Sequence, residues 1–369
     1  MRWKSLIGKV LVLLGATIFA LLCAEGCMSF IHLPLQSAWR LTHTHKVVLD
    51  DDVIVMTPKF THDKFYHRTK DRYLLVALGD SFTEGYPVAR CEDPRVTCEK
   101  DDSWPGSLAN NLSDRGVSIQ VVNAGYSESG PDQHLRHFTD HILPRLKPDI
   151  VIWQFCANDL LDNYIFPTYS IENGELTPLS GRDNWLWKRQ NFWNKLPLPQ
   201  WVKSRSRVLQ ALTFVFQSNS RQQVPEQYKS DPRQWSIDKL EKEIAMMNHL
   251  AEEVGFQVYF VLIAPQSIYL RETDPERWDK FINMPDYSAM LSILSQQPNF
   301  ELAYFETPEL VAHGIQPTIA GPPGVSEMIF VDKRAALKLG FRHYNENGYR
   351  LVADRMADRL INDQVVYAP

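Results

Sequence analysis

Four short stretches of this 369-residue chain hold residue types that together could attack an acyl carbonyl. Gly79-Asp80-Ser81-Phe82-Thr83-Glu84-Gly85, with its serine, directly follows an apolar run, Tyr73 to Leu78. Serine at such a strand-to-loop corner can present its hydroxyl and its own backbone N–H to the same carbonyl. Asn123-Ala124-Gly125 follows a second apolar run, where Gly125 offers an unobstructed backbone N–H, and Asn158-Asp159 follows a third, where Asn158 offers an amide NH2. Donors from Ser81, Gly125 and Asn158 converging on one oxygen would form an oxyanion hole. His343, in Arg342-His343-Tyr344-Asn345-Glu346-Asn347-Gly348, stands just before the last helix and is the candidate base for the Ser81 proton. Each of these residues alone is equally the type found in a turn or a helix cap. Their joint placement after successive strands is what points to nucleophilic acyl chemistry.

Those positions need a frame that brings distant loops together. Strands are expected at Tyr73–Leu78, Val117–Val122, Ile150–Phe155, Gln257–Ile263 and Leu302–Phe305. Helices are expected at Ser103–Arg115, with Pro105 in its first turn, and at Gln133–Leu146, Ile237–Val254, Tyr287–Ser295 and Asn345–Ile361. Val- and Ile-rich strands separated by helices are the pattern of a parallel sheet covered on both faces. Such open sheets form their sites at the carboxyl ends of the strands, which is where the candidates fall.

The four blocks carry Ser, Gly, Asn and His in the chain order of the SGNH/GDSL hydrolase family, which the sequence resembles over about Tyr73 to Asn163 and again over its last thirty residues. Asp102-Ser103-Trp104-Pro105 and Lys147-Pro148-Asp149 belong to the same likeness, whereas residues 164–330 are carried by the fold alone. The resemblance implies a three-layer α/β/α sandwich with a parallel, flavodoxin-like sheet. It also implies Ser81 as nucleophile, Ser81, Gly125 and Asn158 as oxyanion donors, and His343 as base. One position departs from the pattern. The family's Asp three residues before the His is here Gly340, so His343 is oriented either by Asp332, just upstream, or by a backbone carbonyl in a Ser-His dyad.

A net charge of −5 gives no field that would gather nucleic acid or an anionic lipid surface, so neither is expected as a partner through charge. Arg2, Lys4 and Lys9 precede an apolar run from Val10 to Ala24. Basic residues before an apolar run indicate a signal-anchor or transmembrane helix over 1–27, with the remainder exported; a cleaved signal peptide is the rival. Residues 28–70 read as a connecting arm and 71–369 as the hydrolase domain, interrupted by an insertion at about 164–233. Trp185, Trp187, Trp193 and Trp201 crowd into that insertion, which reads as a lid or substrate-shaping element whose aromatic residues serve packing first. Cys91 and Cys98 could close a small loop in an oxidising compartment. His134, His137 and His141 recur at helical spacing and read as solvated or partly buried helix histidines; no metal and no cofactor is expected.

These readings converge on a serine esterase on the outer side of the cytoplasmic membrane, acting on an acetyl or short acyl ester of an envelope carbohydrate or similar glycan. A polysaccharide O-acyltransferase, a lipase or thioesterase, and a non-catalytic glycan-binding subunit are the alternatives.

Overall fold

A computed structural model of the chain describes residues 71–85, 102–125, 129–165, 167–179, 224–264, 285–305 and 343–367. It also describes two strands of a hairpin between 45 and 58, residues 68, 206 and 208, and short helical stretches between 15 and 27. In chain order the elements are β1 (His45–Asp50), β2 (Val53–Pro58), β3 (Tyr73–Gly79), α1 (Ser81–Glu84), α2 (Trp104–Asp114), β4 (Ile119–Gly125) and α3 (Pro131–His137). Then come β5 (Ile150–Phe155), α4 (Asp159–Ile165), β6 (Tyr169–Glu172), β7 (Glu175–Pro178), α5 (Pro232–Val254), β8 (Gln257–Ile263), α6 (Pro285–Leu294), β9 (Phe300–Ala303) and α7 (Glu346–Asn362).

The central sheet has the order β4-β3-β5-β8-β9, and every neighbouring pair is parallel. Renumbered within the sheet this is 2-1-3-4-5, the flavodoxin-like order, which places the carboxyl ends of β4, β3 and β5 side by side. Period-two alternation sorts the side chains onto two cores. Leu74, Val76 and Leu78 face α3, α5 and α6, where Leu135, Phe138, Leu240, Ile244 and Met290 meet them. Leu75 and Ala77 face α2 and α7 on the opposite side, against Trp104, Leu108, Val352 and Met356. The result is the expected three-layer α/β/α sandwich.

Local chemistry shifts several boundaries. β4 runs on through Asn123, Ala124 and Gly125, so Gly125 is the last residue of the strand, paired with Gly79, rather than part of the loop beyond it. The expected helix Gln133–Leu146 starts at Pro131 and widens into a π turn at Phe138–Ile142 before Leu143–Leu146. Pro144 has no N–H to continue the ladder, and the wider turn precedes it. The arm carries the antiparallel β1–β2 hairpin, and the insertion opens with another, β6–β7. Asn173 and Gly174 form the latter's two-residue turn with φ of 50° and 86°, the conformation that Asn-Gly favours.

Among the described residues no helix is long and apolar enough to cross a membrane. Most of residues 1–27, on which the anchor reading falls, lie outside them, as do Cys91, Cys98 and the four insertion tryptophans.

Charged groups lock α3, α4 and α5 together away from solvent. The Lys239 ammonium donates to Asp132 and, at 3.2 Å, to the Asn163 carbonyl, while its Nζ lies 4.7 Å from the Trp235 ring centroid. Asp132 also accepts the Thr168 N–H at 2.8 Å, and Asn163 Nδ2 donates to Glu243 at 2.9 Å. Lys239, Asp132, Asn163 and Glu243 are wholly buried. One ammonium serves two buried carboxyls, and Asp132 holds it; burial raises both, Asp132 against the pull of Lys239 and Glu243 up to about 8.

Removing the cation with Lys239→Ala would strand Asp132, and the expected cost is about 3–5 kcal/mol in chemical denaturation. The Glu243 carboxyl titrates near its ordinary value of 4.5 once unfolded. Between that value and about 8 the folded chain keeps a proton that the unfolded chain has lost, so this group's contribution to stability falls as pH rises through the window. Glu243→Gln retains an acceptor for Asn163 without titrating. Its denaturation midpoint should therefore gain on the wild type as pH rises from about 5 to about 8; a constant difference across that range would contradict the assignment.

Candidate active site

Ser81 is the first residue of α1, directly after β3. Asp80 makes this abrupt turn possible: its carboxylate caps the helix by accepting the Phe82 N–H at 3.0 Å. Helix position also leaves the Ser81 N–H outside the helical ladder. Ser81 Oγ, half-buried, lies 2.7 Å from His343 Nε2 and 3.3 Å from Asp80 Oδ2.

His343 is held by its neighbours. Asn345 caps α7 by accepting the Gly348 N–H at 3.1 Å. Tyr344, wholly buried, meets Phe82 edge-on at 5.3 Å and Tyr349 at 5.8 Å. The Phe82 ring is 4.9 Å from the imidazole itself. The residue after the serine and the residue after the histidine thus clamp the pair from below. With its proton on the buried Nδ1, the imidazole can accept the hydroxyl proton at Nε2.

A second Ser-His pair shows why geometry alone is insufficient. Ser129 Oγ lies 2.8 Å from His134 Nε2, and both residues are buried. The Trp153 indole N–H donates to His134 Nδ1 at 3.3 Å, and burial holds the His134 pKa down to about 3. A neutral imidazole that accepts at Nδ1 carries its proton on Nε2 and donates to Ser129, so it cannot act as a base toward that hydroxyl. His134 is therefore a core residue, more buried than a solvated or partly buried helix histidine. Its partners explain the difference: indole and serine satisfy both nitrogens.

Gly125 has a steric reason to lack a side chain. A Cβ there would lie 2.3 Å from the Glu84 nitrogen and 2.6 Å from the Thr83 carbonyl carbon. Bare backbone at the end of β4 is what lets α1 pack against it. The Gly125 N–H donates to Asn123 Oδ1 at 3.0 Å. Trp104 and Gln154 support α1 from behind, the indole N–H donating to Thr83 Oγ1 at 3.3 Å and Thr83 donating to Gln154 Oε1 at 2.7 Å.

The Asn158 side chain follows β5 and is fixed at both ends. The Cys156 thiol lies 2.8 Å from its Oδ1, and its Nδ2 donates to Asp162 at 2.6 Å. Behind it, Asp80, Cys156 and Asp159 cluster in the interior, with one potential ligand atom from each lying within 4.8 Å of the others. Asp159 accepts the Cys156 N–H at 2.7 Å, and the Cys156 thiol reaches Asp80 Oδ2 at 3.0 Å. Burial, then the Asp80 and Asp159 charges, push the thiol well above its ordinary range, so it keeps its proton. Burial likewise raises the carboxyls of Asp80 and Asp159. Caps and a protonated thiol occupy these atoms, so the group fits a hydrogen-bonded joint better than a cation site.

The structure thus brings together Ser81 and His343, sets Gly125 against the backbone of α1, and joins Asn158 to Asp80 through Cys156. Asp332 and Gly340 lie outside the described residues. Sequence reasoning missed the contributions of Cys156, Asp162 and Asp80, whose only signal was their closeness to the blocks.

A model of the GDSL-like lipase/acylhydrolase family matches residues 77–280, more than half of the chain. Solved structures similar to this chain include a lipase/acylhydrolase from Enterococcus faecalis, with 12% identity, 80% of this chain and 98% of that chain covered, and a TM-score of 0.37. A catalytic mutant of an acetylxylan esterase from Geobacillus stearothermophilus has 14% identity, coverage of 79% and 94%, and a TM-score of 0.35. A carbohydrate acetylesterase family member from Sinorhizobium meliloti has 13% identity, coverage of 79% and 99%, and a TM-score of 0.34. No curated protein matches the chain.

The Gly125 contact is testable without a substrate. Gly125→Ala should lower stability by about 1–3 kcal/mol, as overpacking against rigid backbone does. An unchanged midpoint in chemical denaturation would show that α1 does not rest on this glycine.

Proposed function

Given that the chain belongs to the GDSL-like lipase/acylhydrolase family and is an ester-hydrolysing enzyme, we propose that Ser81 is its nucleophile and His343 its general base. The 2.7 Å approach of Ser81 Oγ to His343 Nε2 is the observation that carries this reading. As Oγ attacks the ester carbonyl, its proton passes to Nε2. The oxyanion that forms is met by the Ser81 N–H, the Asn158 amide and the Gly125 N–H, the last shared with Asn123 Oδ1. His343 then delivers the proton to the leaving alkoxide, leaving the acyl group on Ser81. A water molecule, deprotonated by the same nitrogen, releases the acid and restores the serine. Gly340 replaces the family's aspartate, so the Nδ1 proton is held by Asp332 or by a backbone carbonyl. Asp332→Asn separates the two: a loss of about 10⁴ in rate identifies the carboxylate, and unchanged turnover the carbonyl.

The substrate is proposed to be an acetyl or short acyl ester on an envelope carbohydrate, reached from the exported side of the cytoplasmic membrane. The basic-then-apolar pattern of residues 1–27 supports that placement. Glu25, just past the apolar run, accepts from Ser206 Oγ at 2.9 Å and from the Val208 N–H at 3.2 Å, which ties the insertion to this segment.

The test is labelling by a fluorophosphonate probe together with hydrolysis of p-nitrophenyl acetate. Ser81→Ala and His343→Ala should abolish both in folded protein, and His134→Gln should retain both. Asn158→Ala should lower kcat by about 10²–10³, the usual effect of losing one oxyanion donor. Persistent labelling in folded Ser81→Ala protein would remove the assignment.

A further inference from the structure

The Asn158 amide is gripped on opposite sides by two residues that the reaction itself does not use. Asp162, four residues on along α4, accepts from Nδ2 at 2.6 Å, and the Cys156 thiol lies 2.8 Å from Oδ1. A carboxylate accepts here, so the NH2 must face Asp162 and the carbonyl oxygen must face the thiol. These two partners assign the amide orientation. An NH2 has two hydrogens: Asp162 takes one, and the other is left in a set direction for a substrate oxygen. The single thiol proton is shared between Oδ1 and Asp80 Oδ2, which lies 3.0 Å from the sulfur and places the amide beside the cap that precedes Ser81.

We propose that Asp162 and Cys156 are positioning residues that hold the Asn158 amide in the orientation required to bind the oxyanion, a role that rests on Asn158 being an oxyanion donor. An amide held at both ends pays no reorientation cost when charge develops. Released at either end, it rotates, and the loss falls on the transition state rather than on ground-state binding. Asp162 is also mechanically placed for this. Its N–H donates to the Asn158 carbonyl at 3.0 Å, and Gly130 packs on its Cβ, so the carboxylate stands on a fixed turn.

The experiment measures kcat and KM for p-nitrophenyl acetate in the full chain, with folding checked by thermal denaturation. Asp162→Ala and Cys156→Ala should each lower kcat at least about fivefold with KM little changed, the pattern of an interaction realised in the transition state. Asp162→Asn, which can still accept, and Cys156→Ser, which can still donate, should each recover most of that loss. In an Asn158→Ala background, Asp162→Ala and Cys156→Ala should cost nothing further, because there is no amide left to position. If Asp162→Ala and Cys156→Ala lower kcat by the same factor with or without Asn158, they act elsewhere and the proposal is overturned. It is overturned equally if both singles keep wild-type kcat while Asn158→Ala loses it. If Asn158→Ala itself leaves kcat unchanged, the fault lies in the oxyanion reading beneath the proposal. Should Asp162→Ala fail to fold, Asp162→Asn and the Cys156 pair carry the same comparison.

Discussion

The hydrogen bond between Ser81 and His343 joins positions 262 residues apart, and most of the architecture exists to hold it at 2.7 Å. Neither end is rigid by itself, since Ser81 sits on a four-residue helix and His343 precedes a cap. Both are steadied from the α2 and α7 side of the sheet, where Phe82, Tyr344 and Tyr349 share one core with Trp104 and Met356. Hydrogen bonds between the helices reinforce that core, Asn111 to Asp354 and Arg115 to Asp358, each at 2.5 Å. The other face has a different task. There α3, α4 and α5 are fixed to one another by the buried Lys239 network, and α4 begins at the loop that bears Asn158. One side of the sheet thus places the Ser-His pair, and the other places the amide.

Legibility in the sequence followed how local the physics was. Every strand of the central sheet was visible as an apolar run; Ile150–Phe155 and Gln257–Ile263 have the bounds expected of them, whereas the last, expected at Leu302–Phe305, lies at Phe300–Ala303. The Ser81 and His343 positions were legible because they adjoin such runs or caps. Gly125 was legible as a residue but not as a contact, because its reason is the backbone of Glu84 across a strand. The β6–β7 hairpin announced itself through Asn173-Gly174, a signal overshadowed by the aromatic crowding that follows it.

The buried charges were the least legible. On α5, Lys239 and Glu243 stand a helical turn apart beside Leu240, Ile244 and Met247, that is, within the apolar stripe. Residue type argues for solvent at those two positions, and position argues for the core. Position prevailed because Asp132 and Asn163, from α3 and α4, supply partners that no local pattern reveals. The same holds for Asp80 and Asp159, whose burial makes sense only once the loops after β3 and β5 are seen to meet at Cys156.

The order of synthesis gives the Ser-His distance a further meaning. His343 is translated after every strand of the sheet, and its segment must dock against Phe82 before the Ser81 hydroxyl meets the imidazole. A nascent chain can thus assemble all five parallel strands and still leave Ser81 without the imidazole beside it. The Ser81–His343 pair is therefore completed last, when the segment that leads into the final helix settles.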